Sequence, residues 1–216
     1  MSRRFDVTQA EIRDLVLDEC ARVTEAGNLL VIPTDTVYGI AADAFNASAV
    51  AALLAAKGRG RDMPPPVLVP RADTVFGLVD GVDERMLALT ARFWPGPLTI
   101  IANAQPSLDW DLGETHGTVA VRMPDDEYAL ALLTRTGPLA VSSANISGQP
   151  AATSADEAQE MLGDSVDVYL DGGSRTLGAS STIVDLSGET PRIVRSGPIA
   201  AADLAEILPE LSDQGD

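Results

Sequence analysis

In an acidic protein, cations gathered around glycines mark a place where an anion can be held. Lys57-Gly58-Arg59-Gly60-Arg61 is such a place: it holds the only lysine and two of the fourteen arginines of a 216-residue chain of formal charge −17. Paired guanidiniums with an ammonium suit phosphate oxygens, and glycines let a backbone approach a ligand closely. A helix ending there would itself favour cations by about 0.3–1 kcal/mol each, enough to explain one or two of them without a ligand. The spacing is not that of a Walker A loop, and no Ser or Thr follows the lysine to hold Mg²⁺.

Four further segments carry polar chemistry. Pro33-Thr34-Asp35-Thr36-Val37-Tyr38-Gly39 follows the apolar run Leu29–Ile32, where an open α/β sheet places ligands; it also reads as a polar turn with Asp35 bonding nearby amides. Ser142-Ser143-Ala144-Asn145-Ile146-Ser147-Gly148 offers small neutral donors past another apolar run, or a Ser/Asn turn. Arg122 ends Val119-Ala120-Val121, and Arg192 and Arg195 flank Ile193-Val194; taken singly, each of the last two reads equally as a surface charge. The lone His116 falls in a polar loop, Asp109–Gly117, so no Ser-His-acid set exists. Neither a Gly-x-Ser-x-Gly elbow nor a Gly-x-Gly-x-x-Gly fingerprint is present. The chemistry left is positioning and charge stabilisation, as in phosphoryl and nucleotidyl transfer.

The elements that must position these residues alternate between helix and strand patterns, giving an α/β domain on a mixed sheet. Thr8 with Glu11 reads as a capping box for a helix ending at Gly27, with Cys20 as a buried thiol in its stripe. Asn46 caps an alanine-rich helix to Lys57; Asp83–Phe93 is a helix stopped by Trp94-Pro95-Gly96-Pro97; Ser154 with Glu157 opens another to Leu162. Asp125–Thr134 and Ala200–Leu208 complete the helices. Strands are expected at Leu29–Ile32, Val67–Val69, Leu98–Ala102, Thr118–Arg122, Leu139–Ser142 and Val168–Leu170, with a hairpin of Thr182–Leu186 and Arg192–Arg195. Residues 1–210 read as one domain and 211–216 as a disordered tail.

Composition sets limits. Hydrophobic residues make up 45% of the chain, enough for a sizeable core, while no apolar run approaches the ~20 residues of a membrane span. The N-terminus lacks the apolar stretch of a signal peptide, and one cysteine and one histidine exclude a disulfide framework and a histidine-based zinc site. A cytoplasmic location is expected. The negative charge opposes a broad nucleic-acid face.

Seven segments, in this order, resemble the YrdC/TsaC family, the L-threonylcarbamoyladenylate synthases. They are Pro33–Gly39, Lys57-Gly58-Arg59, Trp94-Pro95-Gly96-Pro97-Leu98-Thr99, Val119–Arg122, Ser143–Gly148, Ser181-Thr182-Ile183-Val184-Asp185 and Arg195-Ser196-Gly197. The resemblance runs from about Gly27 to Gly197. It implies a twisted α/β sheet with flanking helices and a concave, positively lined cavity. The implied reaction takes ATP, bicarbonate (or CO₂) and L-threonine to threonylcarbamoyl-AMP and pyrophosphate, the adenylate serving the modification of tRNA adenosine beside the anticodon.

Residue by residue, Lys57 and Arg59 match the family's catalytic cations and, with Ser143 and Asn145, its nucleotide-site set. Thr118 and Arg195 are similar to further ATP contacts, and Arg61 joins them from the charge cluster. Thr34, Thr36, Arg122 and Ser181 are similar to threonine-holding positions. Mg²⁺ is expected on the ATP phosphates, not on protein side chains. TsaD-, TsaB- and TsaE-type transferase proteins are the implied partners, with tRNA met only indirectly or weakly. Many family members carry Asn-Pro-Leu and then a substrate-contacting histidine after Lys-x-Arg; here Met63-Pro64-Pro65-Pro66-Val67-Leu68-Val69 stands instead. The resemblance implies the single-domain type, without the longer subtype's C-terminal domain. A carbamoyl-adenylate activity and a double-stranded RNA cradle are the competing readings, and the −17 charge weighs against the second.

Overall fold

Side-chain caps start four helices of the computed structural model, which describes residues 2–213. Asn46 accepts from Ala49 N to open α2 (Ala47–Ala56), Asp83 from Met86 N to open α4 (Glu84–Phe93), Asp126 from Tyr128 N and Ala129 N to open α5 (Glu127–Thr136), and Ser154 from Glu157 N to open α6 (Ala155–Leu162). Each carboxylate, amide or hydroxyl satisfies first-turn N–H groups that the helix cannot. The expected box at Thr8 does not form. Asp6 accepts from the Thr8 backbone N–H, the Thr8 hydroxyl and the Gln9 side-chain Nε2, so α1 (Arg13–Glu25) begins after Ile12 with no side-chain cap. Two short helices, α3 (Val75–Leu78) and α7 (Ala201–Ala205), complete the set among the described residues.

The strands are β1 (Arg3–Asp6), β2 (Leu30–Ile32), β3 (Gly39–Asp43), β4 (Val67–Leu68), β5 (Leu98–Asn103), β6 (Thr118–Arg122), β7 (Leu139–Ser143), β8 (Val168–Asp171), β9 (Thr182–Asp185), β10 (Arg192–Arg195) and β11 (Ser212–Asp213). They form one mixed sheet in the order β1-β8-β2-β3-β7-β4-β6-β5-β9-β10-β11. β9 and β10 pair antiparallel, as a hairpin requires. Of the tail expected at 211–216, Ser212 and Asp213 pair with β10, whose free edge offers unpaired backbone groups; 214–216 lie outside the described residues.

The two halves of the sheet are covered differently. From β8 to β7, both faces carry helices: α1 and α5 cover Leu30, Ile32, Ala41 and Val141, while α2 and α6 cover Val31, Ile40 and Ala42. From β6 to β10, one face carries α3, α4 and α7 over Leu98, Ile100, Val119, Val121, Val184 and Ile193. Side chains alternate along each strand, so Thr99, Ile101, Thr118, Ala120, Arg122 and Ile183 face the other way. There no helix among the described residues covers them, and they line a cleft. No helix among the described residues is long and apolar enough to cross a membrane.

Candidate active site

The cleft has a volume of about 390 Å³. Its walls are loops: Thr34 and Thr36–Gly39 from the β2–β3 connection, Arg59 and Asp62–Pro66 after α2, Ser142–Ser143 at the end of β7, and Ser180–Ser181 before β9. Leu112 and Thr115 close it from the Asp109–Gly117 segment. That segment is a loop as expected, but Leu112 turns inward to 2% exposure. His116 lies on its exposed side and is not a lining residue.

The charges in the cleft are unequal. Among the described residues, twelve of the fourteen arginines form ion pairs with carboxylates, and the two that do not are Arg59 and Arg195. Both line the cleft. Arg59 Nη1 donates to Ser142 Oγ at 3.0 Å, while its Nε is buried with no hydrogen-bond partner. Burial lowers the Arg59 pKa from its ordinary value, with only Asp62 opposing. Arg195 lies at the rim and donates twice to the Ser181 carbonyl, at 3.0 and 2.9 Å. Loss of water against the sheet lowers its pKa, and the like charges of Arg122 and Arg59 lower it further. Two guanidiniums that form no ion pair, facing one cleft, make an anion site.

Arg122 is handled differently. It is 6% exposed, and its Nη2 meets Asp35 Oδ1 at 2.5 Å, Nη1 meets Thr36 Oγ1 at 3.1 Å, and Nε meets the Gly96 carbonyl at 3.0 Å. Thr34 Oγ1 lies 3.0 Å from Thr36 Oγ1 and donates to Val37 O at 2.6 Å, which fixes the turn that carries both hydroxyls. A paired arginine beside two hydroxyls can orient a small carboxylate without a large net charge.

The flanking motifs hold these groups in place. A Cβ on Gly96 would meet the Phe93 carbonyl at 2.6 Å, so only glycine lets the chain turn there and present its own carbonyl to Arg122. Trp94 Nε1 donates to Leu98 O at 2.7 Å and locks the same turn to β5. A Cβ on Gly197 would lie 2.4 Å from Thr182 N and 2.6 Å from Ser180 O. This contact seats the end of β10 on the Ser180–Thr182 backbone and brings Arg195 to Ser181. Ser181 Oγ in turn lies 2.8 Å from Thr99 Oγ1.

Thr34, Thr36, Arg59, Thr118, Arg122, Ser143, Ser181 and Arg195 therefore come together, from six separate stretches of sequence. Three expected ATP contacts do not join them as lining residues. Arg61 is exposed and pairs with Asp111 at 2.8 Å, while its carbonyl accepts from Glu114 N at 2.7 Å; it ties two loops on the outer side. Lys57 and Asn145 are buried and bonded to each other. Arg192, left open between ligand and surface, pairs with Asp185 at 2.7 Å. Asp35, Thr99 and Ser142 join the machinery without having been singled out as site residues. All three stand inside segments quoted from the sequence above, yet their partners lie more than eighty residues away.

The family model Sua5/yciO/yrdC, described as telomere recombination, matches residues 22–197. A Mycobacterium tuberculosis protein provisionally named threonylcarbamoyl-AMP synthase is 51% identical over 208 residues, 96% of each chain. The Bacillus subtilis threonylcarbamoyl-AMP synthase is 34% identical over 206 residues, 94% of this chain and 60% of that one. The crystal structure of P. abyssi Sua5 complexed with L-threonine superposes with a TM-score of 0.90 at 32% identity, covering 99% of this chain and 62% of that one. The seven motifs, the sheet and the matched span agree: this chain belongs to the Sua5/YciO/YrdC family.

Proposed function

We propose that the protein makes threonylcarbamoyl-AMP, pyrophosphate and water from ATP, bicarbonate and L-threonine, as a nucleotidyltransferase serving the threonylcarbamoyl modification of tRNA adenosine beside the anticodon. One observation carries this reading: the two arginines without acid partners face one cleft, with a third, neutralised by Asp35, in the same cleft. That is a strong anion site beside a weak one, matching a triphosphate and an amino-acid carboxylate.

In this reading Arg59, Arg195, Ser143 and Thr118 hold the ATP phosphates. Arg122, Thr34, Thr36 and Ser181 hold threonine by its carboxylate and hydroxyl. The threonine amine and bicarbonate give a carbamate, with loss of water. A carbamate oxygen then attacks the α-phosphorus, the bond to the β-phosphate bridge breaks, and pyrophosphate leaves. Fixed guanidiniums aimed at the phosphates stabilise the charge that develops there.

Asp62 is the one acidic side chain lining the cleft, and no cluster of three metal-ligand residues occurs among the described residues. In this reading Mg²⁺ arrives on the ATP phosphates, where it would neutralise part of their charge. Met63–Pro66 lines the cleft wall and supplies shape there instead of a hydrogen-bond donor. The product would pass to TsaD-, TsaB- and TsaE-type transferase proteins in the cytoplasm. The test is product identification after incubation with ATP, Mg²⁺, ¹³C-bicarbonate and L-threonine. Threonylcarbamoyl-AMP carrying the label supports the reading; unlabelled AMP alone contradicts it.

A further inference from the structure

Lys57 is the only lysine of the chain and is 1% exposed at the end of α2. Its ammonium donates to the Ser143 carbonyl, to the Asn145 carbonyl at 2.8 Å and to Asn145 Oδ1 at 3.2 Å. An ammonium has three protons, so this set leaves none for a phosphate. The main chain closes the contact from the other side, where Ser147 N donates to Lys57 O at 2.9 Å. Asn145 is equally committed: its Nδ2 donates to the carbonyls of Ile146 at 2.9 Å and Gln149 at 2.7 Å. Ser142 and Ser143, at the start of the same turn, line the cleft, and Ser142 Oγ receives Arg59.

We infer that Lys57 and Asn145 are positioning residues. They clasp the Ser142–Ser147 turn to the end of α2, so that Ser142, Ser143 and Arg59 meet the anion while Lys57 itself does not touch the phosphates. The identity of that anion rests on the function proposed above; the clasp does not. Burying an ammonium is costly unless hydrogen bonds surround it, and a phosphate could bind Lys57 only by displacing one of three oxygens already in place.

A single lysine makes the test direct, because protein labelled with [ζ-¹⁵N]lysine gives one side-chain ammonium signal. In the free protein its protons should exchange with water roughly ten-fold or more slower than those of an exposed lysine. Adding ATP with Mg²⁺ should move the Arg59 Nε signal and the Ser143 amide and leave the Lys57 Nζ signal in place. Asn145→Ala should speed the ammonium exchange and lower kcat/KM for ATP about ten-fold, with the chain still folded by circular dichroism. Free exchange at Lys57, a Lys57 Nζ shift on ATP as large as that of Arg59, or full turnover in Asn145→Ala overturns the inference. If ATP moves none of these signals, the ATP reading fails, and the exchange rate in the free protein alone decides the clasp.

Discussion

Arg122 Nη2 lies 2.5 Å from Asp35 Oδ1, with the two side chains 7% and 9% exposed, so this arginine meets its ligand with its charge already balanced. Burial lowers the Arg122 pKa, and the Asp35 carboxylate opposes that shift. Asp35→Ala leaves a guanidinium buried and unpaired, which is expected to destabilise the fold by about 3–5 kcal/mol. Asp35→Asn keeps a hydrogen-bond acceptor and should cost less. Urea denaturation of both variants checks this, and an unchanged midpoint for Asp35→Ala contradicts it.

Arg59→Ala removes one of the two arginines that form no ion pair with a carboxylate among the described residues. Turnover is expected to drop about 10²–10³-fold, as when a fixed donor to developing charge is lost. Melting temperature should hold or rise slightly, since the side chain has an unpartnered buried Nε and its charge acts against that of Arg195. Kinetics and a thermal melt on one preparation separate the two effects.

Lys57 gives a pH prediction. Burial, with Arg59 nearby, lowers its pKa from 10.5 to about 8, so the folded chain releases this proton before the unfolded chain does. The group therefore contributes stability fully above its unfolded value, and that contribution is lost as the pH falls through about 8. Deprotonation also removes a donor and the charge from the clasp on the Ser142–Ser147 turn. Turnover should fall as pH rises through about 8, while this group does not lower the urea midpoint over the same step. The comparison belongs below pH 9.0, the ordinary thiol value, because burial pushes Cys20 up to about 12 and its effect on stability has the opposite sign.

Gly197→Ala puts a methyl group 2.4 Å from Thr182 N and 2.6 Å from Ser180 O, so the end of β10 must move. A loss of about 1–3 kcal/mol in stability is expected from the overpacking. KM for ATP should rise at the same time, because Arg195 leaves the Ser181 carbonyl. A variant as stable and as active as the parent removes this glycine from the positioning scheme.

The branched apolar runs that became β2, β6, β7 and the β9–β10 hairpin were legible because their composition matches a pleated, buried surface. β3, Gly39-Ile40-Ala41-Ala42-Asp43, is mostly small residues and becomes a strand because β2 and β7 pair with it on both sides. β1 is Arg3-Arg4-Phe5-Asp6, a charged edge that pairs through its backbone and through Arg4 with Asp171. The cations and hydroxyls of the site were legible as types in clusters, and their division of labour was not. Whether Arg61 or Arg59 faces the ligand depends on Asp111, fifty residues away, and whether Lys57 does depends on main-chain carbonyls that carry no side-chain signature.

Pyrophosphate release tests the proposed reaction most directly, measured with ATP and Mg²⁺ while L-threonine, L-serine and bicarbonate are supplied or withheld. Release that requires both bicarbonate and threonine, is weaker with serine, and collapses in Arg59→Ala is the predicted result. Release that proceeds without either bicarbonate or threonine would contradict the assignment of the cleft.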